Sequence, residues 1–329
     1  MATAPRILTN MAFWQSEAWR TSTDSLYDLG ARRDPVFLPW WREAFALFRR
    51  RAAYDAVVTM GVRESMLYGL LCALTGRPSR QVMCEVFIDT PRPGNAAWLL
   101  KTWLYGIVAR RSLGVLTNSS AEIETMARRY RLPPARLRYV PLNTNIADPQ
   151  RVPDDDGFVL SAGRTLRDYA TLAAAAPLIA APIIVVCGRA DTVADPLPAN
   201  LTVLRELPRE AYLDHLRRAR VVALPLLPTD RATGQVVMLE AMGYGKPVVT
   251  TRSPGTVDYI QDGINGLLLA PGDADGLASA VNGLLENPER RQALGNAAVA
   301  AVRELASAER HARLKLDAIA ELARPGNPA

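Results

Sequence analysis

Gly163, Arg164 and Arg167 follow an apolar run at residues 158–162. Glycine lets a backbone come close to a ligand. Each guanidinium offers paired donors to phosphate oxygens. The trio therefore suits a diphosphate, and it equally suits two solvated surface arginines. A second group lies in residues 219–250. An apolar run at 221–227 ends in a loop, 228–235, that holds Gly234 and small polar residues. A helix is expected over 236–244, stopped by Gly245, Lys246 and Pro247, and a strand restarts at Val248. Free N–H groups at the start of such a helix, with its dipole, favour an anion. Glu240 lies one turn in. There a carboxylate could hold a sugar hydroxyl, or simply gain from the dipole.

The elements that must position these groups alternate along the whole chain. Strand, Gly-containing loop, helix and strand form one unit of an α/β sheet. In the first half, strands are expected at 6–10, 55–60, 81–88, 114–117 and 137–142. Helices are expected at 39–54, 64–74, 96–111 and from Ser119 to about Tyr130. Trp40, Ala44, Leu47 and Phe48 share one side of the first helix. Ser119 with Glu122 reads as a capping box. The segment after 6–10, with Trp14, Trp19 and many Ser and Thr, reads as irregular and carries no Gly-rich dinucleotide fingerprint. Residues 148–157, polar with an acidic run, read as a linker. The second half repeats the pattern, with strands at 158–162, 182–187, 201–204 and 263–269 besides those above. Helices are expected at 169–176, 210–219, 273–285 and 288–322. Two α/β halves imply two parallel sheets across a cleft, with ligands at the strand carboxyl ends.

Composition narrows the function classes. The 329 residues are 49% hydrophobic and 22% charged, values of a globular chain, and the formal charge is +6 with arginine in excess. That charge favours anionic partners, although an Arg-rich background produces it too. Nucleic acid is disfavoured, because the arginines spread through helices without a recognisable binding module. Cys72, Cys84 and Cys187 each sit in apolar runs and read as buried free thiols. His215 and His311, the two histidines, lie in Arg-rich helical patterns and read as solvated. A Ser-His-Asp triad or a His-ligated metal is thus unsupported. No signal-peptide core or spanning apolar run occurs, and a cytoplasmic location is expected. Residues 39–51 and 98–111 are aromatic and basic, so a peripheral membrane contact is one reading. Helices packed in the core are the preferred one, since the polar face of 98–111 is narrow.

Five stretches of the second half carry a resemblance: GRTLRDYATL (163–172), VVCG (185–188), LPREAYLDHLRRARVVALPLL (207–227), GQVVMLEAMGYGKPVVTT (234–251) and GTVDYIQDGINGLLLAPGD (255–273). With the LASAVNGLLENPERRQALG helix after them, they resemble retaining glycosyltransferases of the GT-B fold, of the family-4 type. Residues 115–145 resemble that family's last N-domain strand and helix. The resemblance implies an α/β chain of two Rossmann-like domains: 1–148 for the acceptor, 149–310 for the donor, and a terminal helix and tail, 311–329, packing back on the first domain.

It also implies the site. Arg164 would bind the diphosphate of a nucleotide sugar, assisted by the amides of Gly234, Gln235, Val236 and Val237. Glu240 would take the ribose hydroxyls, and Arg205, Glu206 and Leu207 would flank the base. Neither metal nor cofactor is implied, the leaving diphosphate being stabilised electrostatically. Three positions depart from the family. Ala232 stands where a sugar-facing Glu is usual, leaving Asp230, Thr233 or Gln235 to read the sugar. Tyr169 replaces a Lys, whose charge Arg167 would supply. The usual N-domain His is missing, leaving Glu85, Asp89 and Ser119 as acceptor-side candidates. The expected function is transfer from a nucleotide-diphosphate sugar to a glycan, lipid-linked or small-molecule acceptor. The alternative is a non-catalytic GT-B protein that binds nucleotide sugar or a partner enzyme. A sugar-nucleotide epimerase is disfavoured by the scarcity of histidine.

Overall fold

The computed structural model describes residues 4–27, 37–86, 94–153 and 156–324. The chain divides into two compact units, Met1–Pro141 with Ala308–Ala329, and Leu142–Ser307. The first runs β1 (Ile7–Thr9), α1 (Glu17–Ser22), β2 (Thr23–Ser25), α2 (Trp40–Arg50), β3 (Ala56–Met60), α3 (Val62–Leu74), β4 (Gln81–Cys84), α4 (Ala96–Arg111), β5 (Gly114–Thr117), α5 (Ala121–Tyr130) and β6 (Leu137–Tyr139). Among the described residues its sheet has six parallel strands in the order β2-β1-β3-β4-β5-β6. Its inner strands are buried along nearly their whole length, as a parallel sheet covered on both faces requires.

The second unit runs β7 (Val159–Ala162), α6 (Tyr169–Ala175), β8 (Ile183–Cys187), β9 (Leu201–Arg205), α7 (Arg209–Arg218), β10 (Val221–Leu224), α8 (Gln235–Gly243), β11 (Val248–Thr251), β12 (Leu267–Leu269), α9 (Ala274–Glu286) and α10 (Pro288–Leu305). Its six described strands are again parallel, in the order β12-β11-β10-β7-β8-β9. A last helix, α11 (Ala308–Leu322), belongs to the first unit, where Ala312, Ile319 and Leu322 pack with Ile7, Val58 and Val82. The α/β expectation of two parallel sheets holds.

Several local expectations change. The segment after β1 is irregular over residues 11–16, but 17–22 form α1 and 23–25 form β2. Ser16 accepts the Trp19 N–H at 3.2 Å, and the Trp19 ring is fully buried. A six-residue helix held by one cap and one buried indole has no periodicity to read. Strand β4 stops at Cys84 because Glu85 turns into the left-handed region at φ +50°. The 288–322 helix breaks at Ala306, and its two parts serve different units. The unit boundaries fall at 141/142 and 307/308, not at 148/149 and 310/311, and the described residues of 148–157 are bonded to the second unit. The Thr144 N–H donates to the Ala306 carbonyl at 2.9 Å and its Oγ1 to the Leu239 carbonyl at 3.2 Å. The Val152 N–H donates to the Tyr244 carbonyl at 3.0 Å. Asp156 pairs with Arg218. These bonds stitch the segment onto the second unit.

His311 is not solvated but 2% exposed. Its Nδ1 donates to the Pro141 carbonyl at 2.5 Å, and its ring meets Phe13 edge-on at 5.5 Å. Burial first, then the Lys315 charge, pushes its pKa down to about 3. In the unfolded chain the value returns to about 6.5. Because the folded value is depressed, the unfolded state binds the extra proton. The stability linked to His311 is therefore complete above about pH 6.5 and is lost as pH falls toward 3. The expected slope is about 1.4 kcal/mol per pH unit within that window. All six tryptophans lie in the first unit, so their fluorescence reports its unfolding alone. Urea melts at pH 7 and pH 5 should differ in the wild type and converge in His311→Gln. An unchanged difference in that variant would assign the acid sensitivity elsewhere.

Candidate functional site

Strand β7 sits mid-sheet. The chain leaves it toward β8 and β9, then crosses back to β10 on its other side. The loops after β7 and β10 thus part at a topological switch point, where open α/β sheets form their ligand crevice. Both sequence-predicted groups lie on these loops. The Leu227 N–H donates to the Leu166 carbonyl at 3.0 Å, and the Asp168 N–H to the Pro225 carbonyl at 2.9 Å. Thr233 Oγ1 donates to the Thr165 carbonyl at 3.2 Å. The two loops are one structure.

The arginines separate within it. Arg167 folds back: Nε donates to the Ala162 carbonyl and Nη1 to the Thr165 carbonyl, each at 2.8 Å. Gly163, at φ +131°, admits that guanidinium, since a Cβ there would stand 2.3 Å from Nη2. Desolvation lowers the Arg167 pKa. The Tyr169 hydroxyl donates to the Gly163 carbonyl at 2.6 Å and fixes the same turn. Arg167 and Tyr169 therefore shape the loop. Arg164 reaches outward with its side chain 62% exposed, held at 3.1 Å by Glu206.

Glu206 sits in the left-handed region and also accepts the Arg189 N–H at 2.8 Å. Arg205 Nη1 donates to the carbonyls of Gly188 and Asp191, each at 2.8 Å. Leu207 packs against the core. These three residues thus build the wall beside Arg164. An ion pair as exposed as Arg164–Glu206 contributes about 1 kcal/mol at most, so a diphosphate competes for Arg164 at little cost.

Helix α8 forms the other wall. Its N-cap, Gly234, is left-handed at φ +84°. The amides of Val236 and Val237 have no acceptor within the helix and lie at its positive end. Val236 is 47% exposed, whereas the rest of α8 is buried. The Gln235 side chain turns inward and donates to the Tyr259 hydroxyl at 3.3 Å. Ala232 is 2% exposed, so no carboxylate stands at that position.

Glu240 is an enclosed carboxylate, 1% exposed. Its Oε1 accepts from Arg209 at 3.0 Å and from Asn145 Nδ2 at 3.2 Å, and its Oε2 accepts from the Tyr212 hydroxyl at 2.9 Å. Burial, then the Glu240 charge, raises the Tyr212 pKa, which keeps that hydroxyl a donor. A cavity of about 450 Å³ shares Asn145 and Arg209 with this cluster and continues past Leu213 to Tyr244. Sequence reasoning missed Asn145, Arg209 and Tyr212 as partners of Glu240. Arg209 and Tyr212 stand in the conspicuous 207–227 stretch, but nothing in their spacing relates them to Glu240. Asn145 comes from a segment read as the approach to a linker.

Glu85 and Ser119 lie in the first unit, at the carboxyl ends of the paired strands β4 and β5. Glu85 pairs with Lys315 Nζ at 3.4 Å, and that lysine is 1% exposed. Ser119 is buried, and its Oγ accepts the Ala121 N–H at 3.2 Å. Asp89 lies outside the described residues. Among the described residues no group of His, Cys, Asp or Glu could hold a metal ion, all three cysteines are free and buried, and no helix is long and apolar enough to cross a membrane.

The model of the family "Glycosyl transferases group 1" matches residues 158–287. No curated protein matches the chain. Among solved structures, Anabaena Alr3699/HepE in complex with UDP-glucose is similar at 17% identity and a TM-score of 0.70, over 92% of this chain and 96% of that one. Sucrose-phosphate synthase of Thermosynechococcus elongatus is similar at 18% identity and 0.69, over 94% and 97%. A glycosyltransferase of Rickettsia africae aligns over 99% and 100%, at 14% identity and 0.69. Residues 158–287 thus match a group 1 glycosyltransferase domain, and the two parallel-sheet units have the GT-B fold of these structures.

Proposed function

We propose that the chain transfers a glycosyl group from a nucleoside diphosphate sugar, with retention of configuration and without a metal. The observation that carries this reading is the switch point of the second sheet. Exposed Arg164 and the amino end of α8 flank it from two interlocked loops. The diphosphate takes Arg164 and the amides of Val236 and Val237. Charge that develops on it as the glycosidic bond breaks is met by this cation and dipole, already in place. The ribose hydroxyls lie against the Glu240 cluster. Thr233 and Asp230, beside Ala232, are nearest the sugar. HepE was solved with UDP and with UDP-glucose, so a uridine nucleotide is the first donor to test.

Ala232 favours one second reading, a protein that binds nucleotide sugar without turnover. A thermal-shift screen of nucleoside diphosphates and their sugars tests binding, and product release with EDTA present tests transfer. We expect a shift with at least one uridine nucleotide, turnover that survives EDTA, and a product that keeps the donor's anomeric configuration by NMR. Arg164→Ala should weaken nucleotide binding about 10- to 100-fold, the loss of one charge-assisted contact to phosphate, with an unchanged melting temperature without ligand. Binding without turnover selects the second reading. Wild-type affinity in Arg164→Ala would displace the site.

A further inference from the structure

We infer that the face made by the first turns of α2 and α4 docks on the surface of an anionic lipid bilayer. Both helices were expected to bury their aromatic sides. Phe48, Trp98 and Tyr105 do pack into the core, but Trp40 and Trp41, Phe45 and the preceding Phe37 are each at least 40% exposed. In α4, Leu99 and Leu100 are 56% exposed and Trp103 60%. Among the described residues, every exposed aromatic ring lies just before α2, on α2 or on α4. Isolated exposed apolar residues are ordinary on a protein surface, but such a concentration marks an interaction site.

Topology brings the two groups to one edge. α2 and α4 both pack against α3, and each leads into a strand of the parallel sheet, β3 and β5. A crossover helix runs antiparallel to its strands, so both helices begin at the carboxyl edge of the sheet. That edge also carries Glu85 and Ser119.

Charge chooses the occupant. The one acid of α2, Glu43, is buried and accepts from Asn10 Nδ2 at 2.7 Å, and α4 has no acid. The charges these helices expose are basic. Arg42 lies over the Trp41 ring at 5.0 Å, and Lys101 over the Trp98 ring at 4.6 Å. On the intervening α3, Arg63 is exposed and Glu64 is half-buried. Indole rings beside cations, with no exposed carboxylate on either helix, suit the headgroup level of a negatively charged membrane. α4 exposes Leu99, Leu100 and Trp103 on a helix whose polar face is narrow.

The test needs no donor, so its failure and that of the transfer reading are distinguishable. The full chain is sedimented with vesicles of phosphatidylcholine containing one-third phosphatidylglycerol, and with phosphatidylcholine alone. We expect binding to the anionic vesicles, weakened by high salt, with a blue shift of tryptophan emission. Trp41→Ser with Trp103→Ser, and separately Arg42→Glu with Lys101→Glu, should each lower partitioning at least about tenfold. Circular dichroism and the ligand-free melting temperature serve as folding checks. Equal binding by folded variants would overturn the inference. So would the absence of binding to either vesicle, including the case where light scattering shows this face closing a dimer.

Discussion

Glu240→Ala should lower donor kcat/KM at least about 100-fold and destabilise the second unit by about 3 kcal/mol. Two effects combine. The carboxylate is the shared acceptor of Asn145, Arg209 and Tyr212, and it lies almost wholly out of water. Its removal leaves the Tyr212 hydroxyl and the Asn145 amide without their acceptor in a partly buried place, at about 1–3 kcal/mol for each group. The half-exposed Arg209 is the member that water can recover. On the proposed reading, the nucleotide also loses the group nearest its ribose. Glu240→Gln separates the two effects. An amide of the same shape still accepts at one oxygen, so most of the stability should remain while nucleotide affinity falls. Calorimetric titration with UDP, alongside chemical denaturation followed by circular dichroism, reads both. A folded Glu240→Ala protein with undiminished nucleotide affinity would remove Glu240 from the site.

Gly255→Ala should damage the same site from outside it. The backbone of Thr233 passes so close that a Cβ on Gly255 would stand 2.1 Å from the Thr233 carbonyl oxygen and 2.5 Å from its nitrogen. Both are main-chain atoms, so no side chain can swing away. The loop 225–234 or the turn after β11 must move, at a cost of about 3 kcal/mol. For a unit of this size that lowers Tm by on the order of 10 °C. Because Thr233 immediately precedes the Gly234 cap, the same movement displaces the amino end of α8. Nucleotide affinity should therefore fall with stability, although Gly255 is not among the residues proposed to hold the nucleotide. Gly283→Ala is the control, since a Cβ there meets nothing within 4 Å. A Gly255→Ala protein as stable as that control would show that the loop has room to spare.

The two predictions differ in what a reader of the sequence could anticipate. Glu240 stood out from its place in α8 and from the resemblance of 234–251. Gly255 belonged to a resembling stretch, but no local rule singled it out. The same contrast runs through the molecule. Arg164 and Arg167 look equivalent in the sequence, yet one is 62% exposed and the other is bonded to its own loop. The spacing puts Trp40 and Phe48 on the side of Ala44 and Leu47, and Phe48 does pack against them. The structure buries Ala44 and Leu47, while Trp40 is 40% exposed. His311 reads as one more polar residue of an Arg-rich helix, and packing with Phe13 makes it a buried group.

What the sequence determined by itself is the alternation of apolar strands with helices, the loops that end β7 and β10, and so two parallel sheets with an anion-friendly turn in the second. These follow from periodicity and from glycine placement, which are properties of neighbours along the chain. What only the tertiary structure decided is which groups share an environment: Asn145 with Glu240, Gly255 with Thr233, Lys315 with Glu85, and the aromatic starts of α2 and α4 with solvent. Such pairings depend on the order in which strands join a sheet and on which helix face finds a neighbour. Free energy selects that order through the burial of whole surfaces, so no short stretch of residues encodes it.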